Sequence, residues 1–227
     1  MKSSKAALID RGFLEKDAEA VYLELNFEEK LNLLQSPLAV ERTLGARLLC
    51  CENPEVSIPL LIEALKTEKK LYSKIGICNT LISFGQASVK SLIEQLGEIG
   101  NNQYKTIPQE KFNKKSYPLP RDIAARTLAN IGTAALPDLL KTLSTGSMSQ
   151  LSEAVDAIGH ICFYDYQNGI FEQLLSCFER NKESELIRWK IVRAMSAFPE
   201  SKSFLEEQSQ MEQNKGIVLE IERSLKH

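Results

Sequence analysis

Histidine, tryptophan and net charge are all scarce in this sequence. Its 227 residues include two histidines and one tryptophan, 7% are aromatic, and 28 basic side chains face 30 acidic ones. Catalysis through histidine would depend on His160 alone, because His227 is terminal. The sequence contains no glycine-rich phosphate loop, nucleophile elbow or dinucleotide fingerprint. We therefore predict no catalytic residue and no cofactor, and we expect that the protein is not an enzyme.

The cysteines form no recognisable metal or disulfide pattern. Their number is odd, no CxxC occurs, and most lie in apolar helical patterns: Cys50, Cys51, Cys78, Cys162 and Cys177. His160 and Cys162 are two residues apart, which on a helix turns their side chains about 200° from each other. These two residues therefore cannot clamp one metal ion. We predict core thiols, no bound metal and a reducing, cytoplasmic location.

Long hydrophobic runs and a positive excess are also missing. No stretch approaches the roughly 18 apolar residues of a membrane span, and the N-terminal residues lack the apolar segment of a secretory signal. The formal charge of −2 argues against binding of phosphates by bulk electrostatics, which requires a large excess of cations. We expect no membrane association, and nucleic-acid binding is disfavoured.

What the sequence does contain is an internal repeat. The clearest unit begins RDIAARTLANIG at Arg121, where Gly132 stops a first helix and Pro137 opens a second. The apolar pattern around Leu128 recurs in four other segments, at intervals of 32, 47, 30 and 37 residues along the chain. The aligned positions are Leu49, Leu81, Leu128, Ile158 and Met195. A second apolar helix follows each of them, so the pattern predicts stacked helix pairs.

The predicted fold class is all-α: a right-handed α-α superhelix, or α-solenoid, of about five helix pairs with capping helices at both ends. Asn26 and Glu29 have the spacing of a capping box and indicate a helix in the N-terminal cap. We predict one domain over residues 1–227. Its parts are an N-terminal cap at 1–35, repeats at 36–211 with an insertion at 100–118, and a C-terminal capping helix at 212–227.

The pattern RxxAAxxLxxIG followed by ALPDLLKTL resembles the HEAT repeat family, and specifically the HEAT-like repeats also found in phycobilin lyases. The resemblance covers roughly residues 36–211, and the units around Leu128 and Ile158 match it well. It implies that second helices line a concave binding surface. The polar residues that would then face a partner are Glu63, Lys66, Lys90, Glu94, Asp138, Lys141 and Glu172. Their mixed charges suit a protein partner, although each could equally be part of a solvated face.

The insertion is the second candidate site. It combines lysines and aromatic residues, which could bind an acidic or nucleic-acid partner or could pack as a surface insertion. The candidates are Tyr104, Lys105, Lys111, Phe112, Lys114, Lys115 and Tyr117. Trp189, between two cations, could anchor a partner or pack against the terminal unit.

A cation recurs near the start of four first helices. Arg42, Lys74, Arg121 and Arg188 stand at the same distance before the aligned apolar position. They could form a binding stripe, or they could pair with acidic residues of neighbouring repeats. Leu151 takes this place in the fourth unit and interrupts the series.

These observations favour a non-enzymatic scaffold or adaptor that binds a protein partner through its second helices and the insertion. One alternative is a nucleic-acid-binding or DNA-repair protein similar to the HEAT-type alkylpurine DNA glycosylases. Another is a tetrapyrrole lyase-like protein, which only the resemblance to phycobilin lyase repeats suggests. All three would share the same stacking residues, so the repeat pattern leaves the choice open.

Overall fold

A computed structural model describes residues 4–110, 112 and 116–226. Every regular element of these residues is helical, and the chain forms two compact units: unit 1, residues 1–91, and unit 2, residues 92–227. None of the helices in this described part combines the length and apolar content that a membrane crossing requires. The division of residues 1–227 into one domain with caps stays a prediction.

Helices fill most of both units. Unit 1 contains α1 (Lys5–Asp10), α2 (Phe27–Leu34), α3 (Ala39–Leu48), α4 (Pro54–Thr67) and α5 (Leu71–Ser83), and α6 (Gln86–Ile93) begins in it. Unit 2 contains α7 (Ile123–Ile131), α8 (Leu136–Thr145), α9 (Met148–Tyr164), α10 (Ile170–Arg180), α11 (Glu185–Met195), α12 (Lys202–Met211) and α13 (Lys215–Ser224). The first helices of the predicted pairs are α3, α5, α7, α9 and α11, and the second helices are α4, α6, α8, α10 and α12.

The helices pack as a helical repeat requires. Within unit 1, α3 packs against α5; within unit 2, α7, α9, α11 and α13 pack one against the next. The second helices α8, α10 and α12 each pack against the helix that follows them. The predicted all-α helical repeat fold is therefore confirmed.

Local sequence signals explain where several helices begin and end. Asn26 and Glu29 form the predicted capping box, with the Glu29 amide donating to Asn26 Oδ1 over 3.0 Å. Gly132 ends α7 with φ at 83°, a conformation that favours glycine, and Pro137 lies in the first turn of α8. The Asn26 side chain accepts a hydrogen bond from an amide that would otherwise be free, and Pro137 has no amide hydrogen that could be left unpaired.

The first helix α7 differs from the other four. The aligned apolar residue is the eleventh residue from the start of α5, α9 and α11, but Leu128 is only the sixth of α7. Asp122 caps α7 and Arg121 precedes it, so Arg121 lies outside its helix, whereas Arg42, Lys74 and Arg188 are each the fourth residue of theirs.

In unit 1 the N-terminal segment packs on the first helices through small hydroxyl groups. Thr43 Oγ1 donates to the Gly12 carbonyl over 2.6 Å, and the Tyr72 amide donates to the Arg11 carbonyl over 3.0 Å. Gly12 has φ at +86°, and a Cβ there would lie 2.3 Å from Ser73 Oγ. A glycine is therefore required where this segment approaches α3 and α5.

Candidate functional site

The described part of the insertion, residues 100–110, 112 and 116–118, lies on the first helices of unit 2. Tyr117 is buried against α9 at Gly159, where a Cβ would come within 2.0 Å of the Tyr117 hydroxyl. Ile107 approaches the start of α13 at Gly216, where a Cβ would lie 2.4 Å from Ile107 Cγ2. A side chain at either glycine would collide with the insertion, so the close approach requires glycine at both positions. The sequence left open whether the insertion binds a partner or packs as a surface insertion. Its described part packs on the helices of its own unit.

A buried carboxylate ties the insertion to α7. Asp122 accepts hydrogen bonds from the Ala125 amide and from Gln103 Nε2, both at 2.8 Å, and from the Gly97 amide at 3.2 Å. Burial raises the pKa of Asp122, and these three donors oppose that effect. One side chain therefore caps α7 and holds the first part of the insertion.

The Tyr104 ring is the next anchor. It meets the Trp189 ring edge to face, with centroids 5.0 Å apart, and the Arg121 guanidinium carbon lies 4.5 Å from the Tyr104 centroid. The guanidinium carbon of Arg193 lies 3.8 Å from the Trp189 centroid. Cation–π contacts of this kind hold the rings in a fixed arrangement.

Two predicted partner-binding rings are therefore inside the fold. Trp189 and Tyr117 are each only 2% exposed. Buried rings cannot contact a partner unless the packing opens. Of the two alternatives given for each ring, the structure shows packing within the fold. Trp189 lies on a different face of α11 from the apolar positions, and this face contacts Tyr104 of the insertion. Helix periodicity gives the face but does not reveal what covers it.

A cluster of six ionised side chains lies in the same region, on α9, α11 and α13. The members are Glu153, Asp156, Lys190, Arg193, Glu220 and Arg223, and all are buried. Three carry positive charge and three negative charge, so the cluster is formally neutral. Buried charges at this density are stable only when they are paired with each other.

Lys190 is the centre of one half of the cluster. Its ammonium is completely buried and lies 2.7 Å from Glu153 Oε1 and 2.9 Å from Asp156 Oδ2. It also donates to the Ser152 carbonyl over 3.2 Å. Two carboxylates thus share one ammonium. Burial, reinforced by Asp156 and opposed by Lys190, raises the pKa of Glu153 to about 6.

In the other half of the cluster, two guanidinium groups share one carboxylate. Arg223 Nε lies 2.6 Å from Glu220 Oε1, and Arg193 Nε lies 3.6 Å from the same oxygen. The Tyr117 hydroxyl is buried beside the cluster without a hydrogen-bond partner, and burial raises the pKa of Tyr117 far above its usual value. The geometry supports a structural role for the cluster, since the side chains are enclosed by protein.

The second-helix candidates remain accessible. Lys90, Glu94, Lys141 and Glu172 are exposed, Asp138 is half-buried, and Glu63 and Lys66 form an exposed ion pair on α4. In the insertion, Lys105 is exposed and Phe112 is half-buried, whereas Lys111, Lys114 and Lys115 lie outside the described residues.

Two of the cations at the fourth residue of the first helices, Arg42 and Arg188, form ion pairs. Arg42 binds Glu68 through Nε at 2.7 Å and Nη2 at 3.0 Å, and Arg188 Nη2 lies 3.2 Å from Glu212. Each glutamate follows the second helix of the same pair. Glu68 accepts from the next two backbone amides, as does Glu212. Arg42 and Arg188 are therefore ion-paired, but each partner belongs to the same helix pair and not to a neighbouring repeat.

The comparisons with known proteins agree with the geometry of unit 2. Residues 120–145, which contain α7 and α8, match the PBS lyase HEAT-like repeat family model. A search of curated proteins found no match to the chain. Residues 120–145 are thus similar to a HEAT-like repeat, and they lie within an all-α fold of paired helices.

Proposed function

We propose that this chain is a non-enzymatic helical-repeat scaffold that binds a protein partner through the exposed face of its second helices. The observation that carries the proposal is the contrast in exposure within unit 2. Residues 151–159 of α9 are all buried, while Lys141 on α8 and Glu172 on α10 are exposed. The first-helix side is occupied by the insertion, so the second helices offer the open repeat surface.

The charge of this face supports a protein partner. The second helices α8, α10 and α12 carry three cations and five carboxylates. A polyanion such as nucleic acid would meet more repulsion than attraction there, because each phosphate contact requires a cation. Interspersed charges of both signs are typical of specific protein contacts, where they set register and exclude wrong partners.

Site-specific photo-crosslinking tests the proposal. A photoreactive phenylalanine analogue is placed at Lys141 or Glu172 in the full chain, and the matched controls carry it at Lys215 or Glu222 on α13. We expect one adduct of defined mass at α8 and α10, and no adduct at α13. Equal labelling at both faces would contradict the proposal, as would an uncrosslinked monomer in every variant under native host conditions.

A charge-reversal pair checks that the adduct reports specific binding. Lys141→Glu with Glu172→Lys keeps the net charge constant while it inverts the pattern. We expect this double variant to lose the adduct formed through a photoreactive residue at Ser176, which is exposed on α10. Lys215→Glu with Glu222→Lys should retain it. Salt-dependent binding of a nucleic acid by the original chain would instead favour the DNA-repair alternative.

A second candidate is a tetrapyrrole lyase-like protein. Its only support is the family match over residues 120–145, whose name refers to a PBS lyase. Coexpression with a bilin and a bilin-carrying protein tests it by the absorbance of the purified chains. Absence of colour on both chains, with intact crosslinking at α8 and α10, would leave the scaffold as the supported function.

A further inference from the structure

Two adjacent thiols stand at the surface of unit 1. Cys50 and Cys51 belong to a 3-10 turn, Leu49–Cys51, that follows α3. Both are exposed, and their sulfur atoms lie 3.5 Å apart. Cys162 and Cys177 are buried, so the pair at the end of α3 differs from the core thiols of unit 2.

A direct disulfide does not suit this pair. Adjacent residues have Cα atoms about 3.8 Å apart across a trans peptide, below the roughly 4.4 to 6.8 Å of ordinary disulfides. Closing an S–S bond of about 2.05 Å would also pull the two sulfurs together and distort the turn. A bridge of one atom between the sulfurs avoids both problems.

The sulfur separation selects the kind of bridging atom. An atom bonded to both sulfurs at about 2.3 Å, a usual metal–thiolate length, would subtend an angle of about 100° at 3.5 Å separation. Linear two-coordinate ions need a much wider separation. Tetrahedral zinc needs four ligands, and the described residues hold no group of three or more metal-binding side chains. Pyramidal trivalent arsenic, with two sulfurs and one carbon, fits this angle.

A cleft beside Cys50 can receive the organic group of such a ligand. It has a volume of about 590 Å³, and its lining includes Phe13, Leu14 and Thr80. Phe13 is 37% exposed, which leaves an aromatic side chain accessible to a flat apolar substituent. An aryl group attached to arsenic could therefore lie against Phe13.

We propose that Cys50 and Cys51 form a dithiol site for trivalent organoarsenicals. An arsenoxide condenses with both thiols: two As–S bonds form, the arsenic–oxygen bond and two S–H bonds break, and the oxygen leaves with both protons as one water molecule. Arsenic stays trivalent, so no oxidant or reductant is consumed. The reaction starts from protonated thiols, and partial desolvation together with the neighbouring Cys51 raises the pKa of Cys50 to about 11.

Phenylarsine oxide is the probe for this site. The native full chain should take up one phenylarsenic group, resist removal by excess 2-mercaptoethanol and release the group to dithiothreitol. Cys50→Ser and Cys51→Ser should each weaken retention about 100-fold, because the second As–S bond of a chelate forms within one molecule. Cys78→Ser is the matched control and should bind as the original chain does.

The mass of the intact chain distinguishes an arsenical adduct from a disulfide. An arsenical bound through two sulfurs adds the phenylarsenic group less two hydrogens, whereas oxidation to a disulfide removes two hydrogens and adds nothing. Retention unchanged in either single serine variant would overturn the proposal, as would labelling of Cys78, Cys162 or Cys177 in the native chain. Far-UV circular dichroism confirms that each variant is folded.

Discussion

Both units cover their first helices with a segment outside the repeat, but they do so with different chemistry. In unit 1 the segment around Gly12 approaches α3 and α5 through neutral hydroxyls such as Thr43 and Ser73. In unit 2 the insertion covers α9 and α11 with rings, above a buried cluster of charges. Hydroxyls can bond to carbonyls at any pH, whereas buried charges must be paired and can titrate. Unit 2 is therefore expected to lose more stability than unit 1 when a buried charge is removed.

The largest expected effect comes from Lys190→Met. This change leaves Glu153 and Asp156 buried without their shared cation, and we expect unit 2 to lose about 3 to 5 kcal/mol of unfolding free energy at neutral pH. Trp189 is the chain's only tryptophan and lies in unit 2, so its fluorescence in urea reports this loss.

Lys30→Met in unit 1 is the matched control. Lys30 is also buried and pairs with Glu52 at 2.6 Å, but the Glu52 side chain is 27% exposed and can be hydrated. We expect a loss of about 1 kcal/mol, followed by far-UV circular dichroism. Similar losses for both lysine variants would break the contrast between the units.

The pH dependence gives the next effect, with opposite signs in the two units. In unit 2 the folded-state pKa of Glu153 is about 6, above its ordinary 4.5. The protonated Glu153 carboxyl therefore stabilises unit 2 below pH 4.5. This contribution, about 2 kcal/mol of unfolding free energy, is lost as pH rises through about 6. Glu153→Gln should remove this decline from the Trp189 unfolding curves, and a decline that persists would contradict the assignment.

Glu68 in unit 1 titrates in the other sense. The hydrogen bonds from Arg42 and from the following amides outweigh burial and lower the pKa of Glu68. Its stabilising contribution is therefore present above its unfolded pKa and lost as pH falls through the folded one. Glu68→Gln should weaken the acid sensitivity of unit 1, measured by hydrogen exchange of α3 and α4 at matched pH.

The smallest expected effect concerns the arginine–glutamate ion pair that occurs in both units. Arg42→Met and Arg188→Met each remove a cation from a glutamate that keeps two backbone amide donors. We expect each variant to lose about 1 kcal/mol, because the carboxylate, although its side chain is nearly buried, keeps its two amide donors. Urea unfolding of the two variants should give losses equal within about 0.5 kcal/mol. A large difference would show that the two pairs are not structurally equivalent.

Local residue patterns predicted much of the fold. The Asn26 and Glu29 capping box, the Gly132 stop and the early Pro137 are signals that act within one turn of helix. The late start of α7 was not predicted: the apolar pattern correctly marks Leu128 as buried, but the Asp122 cap makes the helix begin only at Ile123. Apolar spacing fixes which face of a helix is buried, but the capping residue fixes where the helix begins.

The candidate site was less predictable. Glu153 and Asp156 look like solvated residues of an amphipathic helix, and nothing in their immediate neighbours indicates burial. Their burial depends on an insertion more than 30 residues earlier in the chain and on Lys190 more than 30 residues later. Trp189 is similar, since its partner Tyr104 belongs to that insertion.

The sequence by itself determined the helices, their pairing and the HEAT-like repeat, because apolar periodicity and capping act over a few residues. Only the tertiary structure decided that the insertion covers the first helices of unit 2, that six charges are buried there, and that the second helices stay exposed. The physical reason is that burial depends on close approach between distant segments. At Gly159 and Gly216 that approach exists because a Cβ atom is missing.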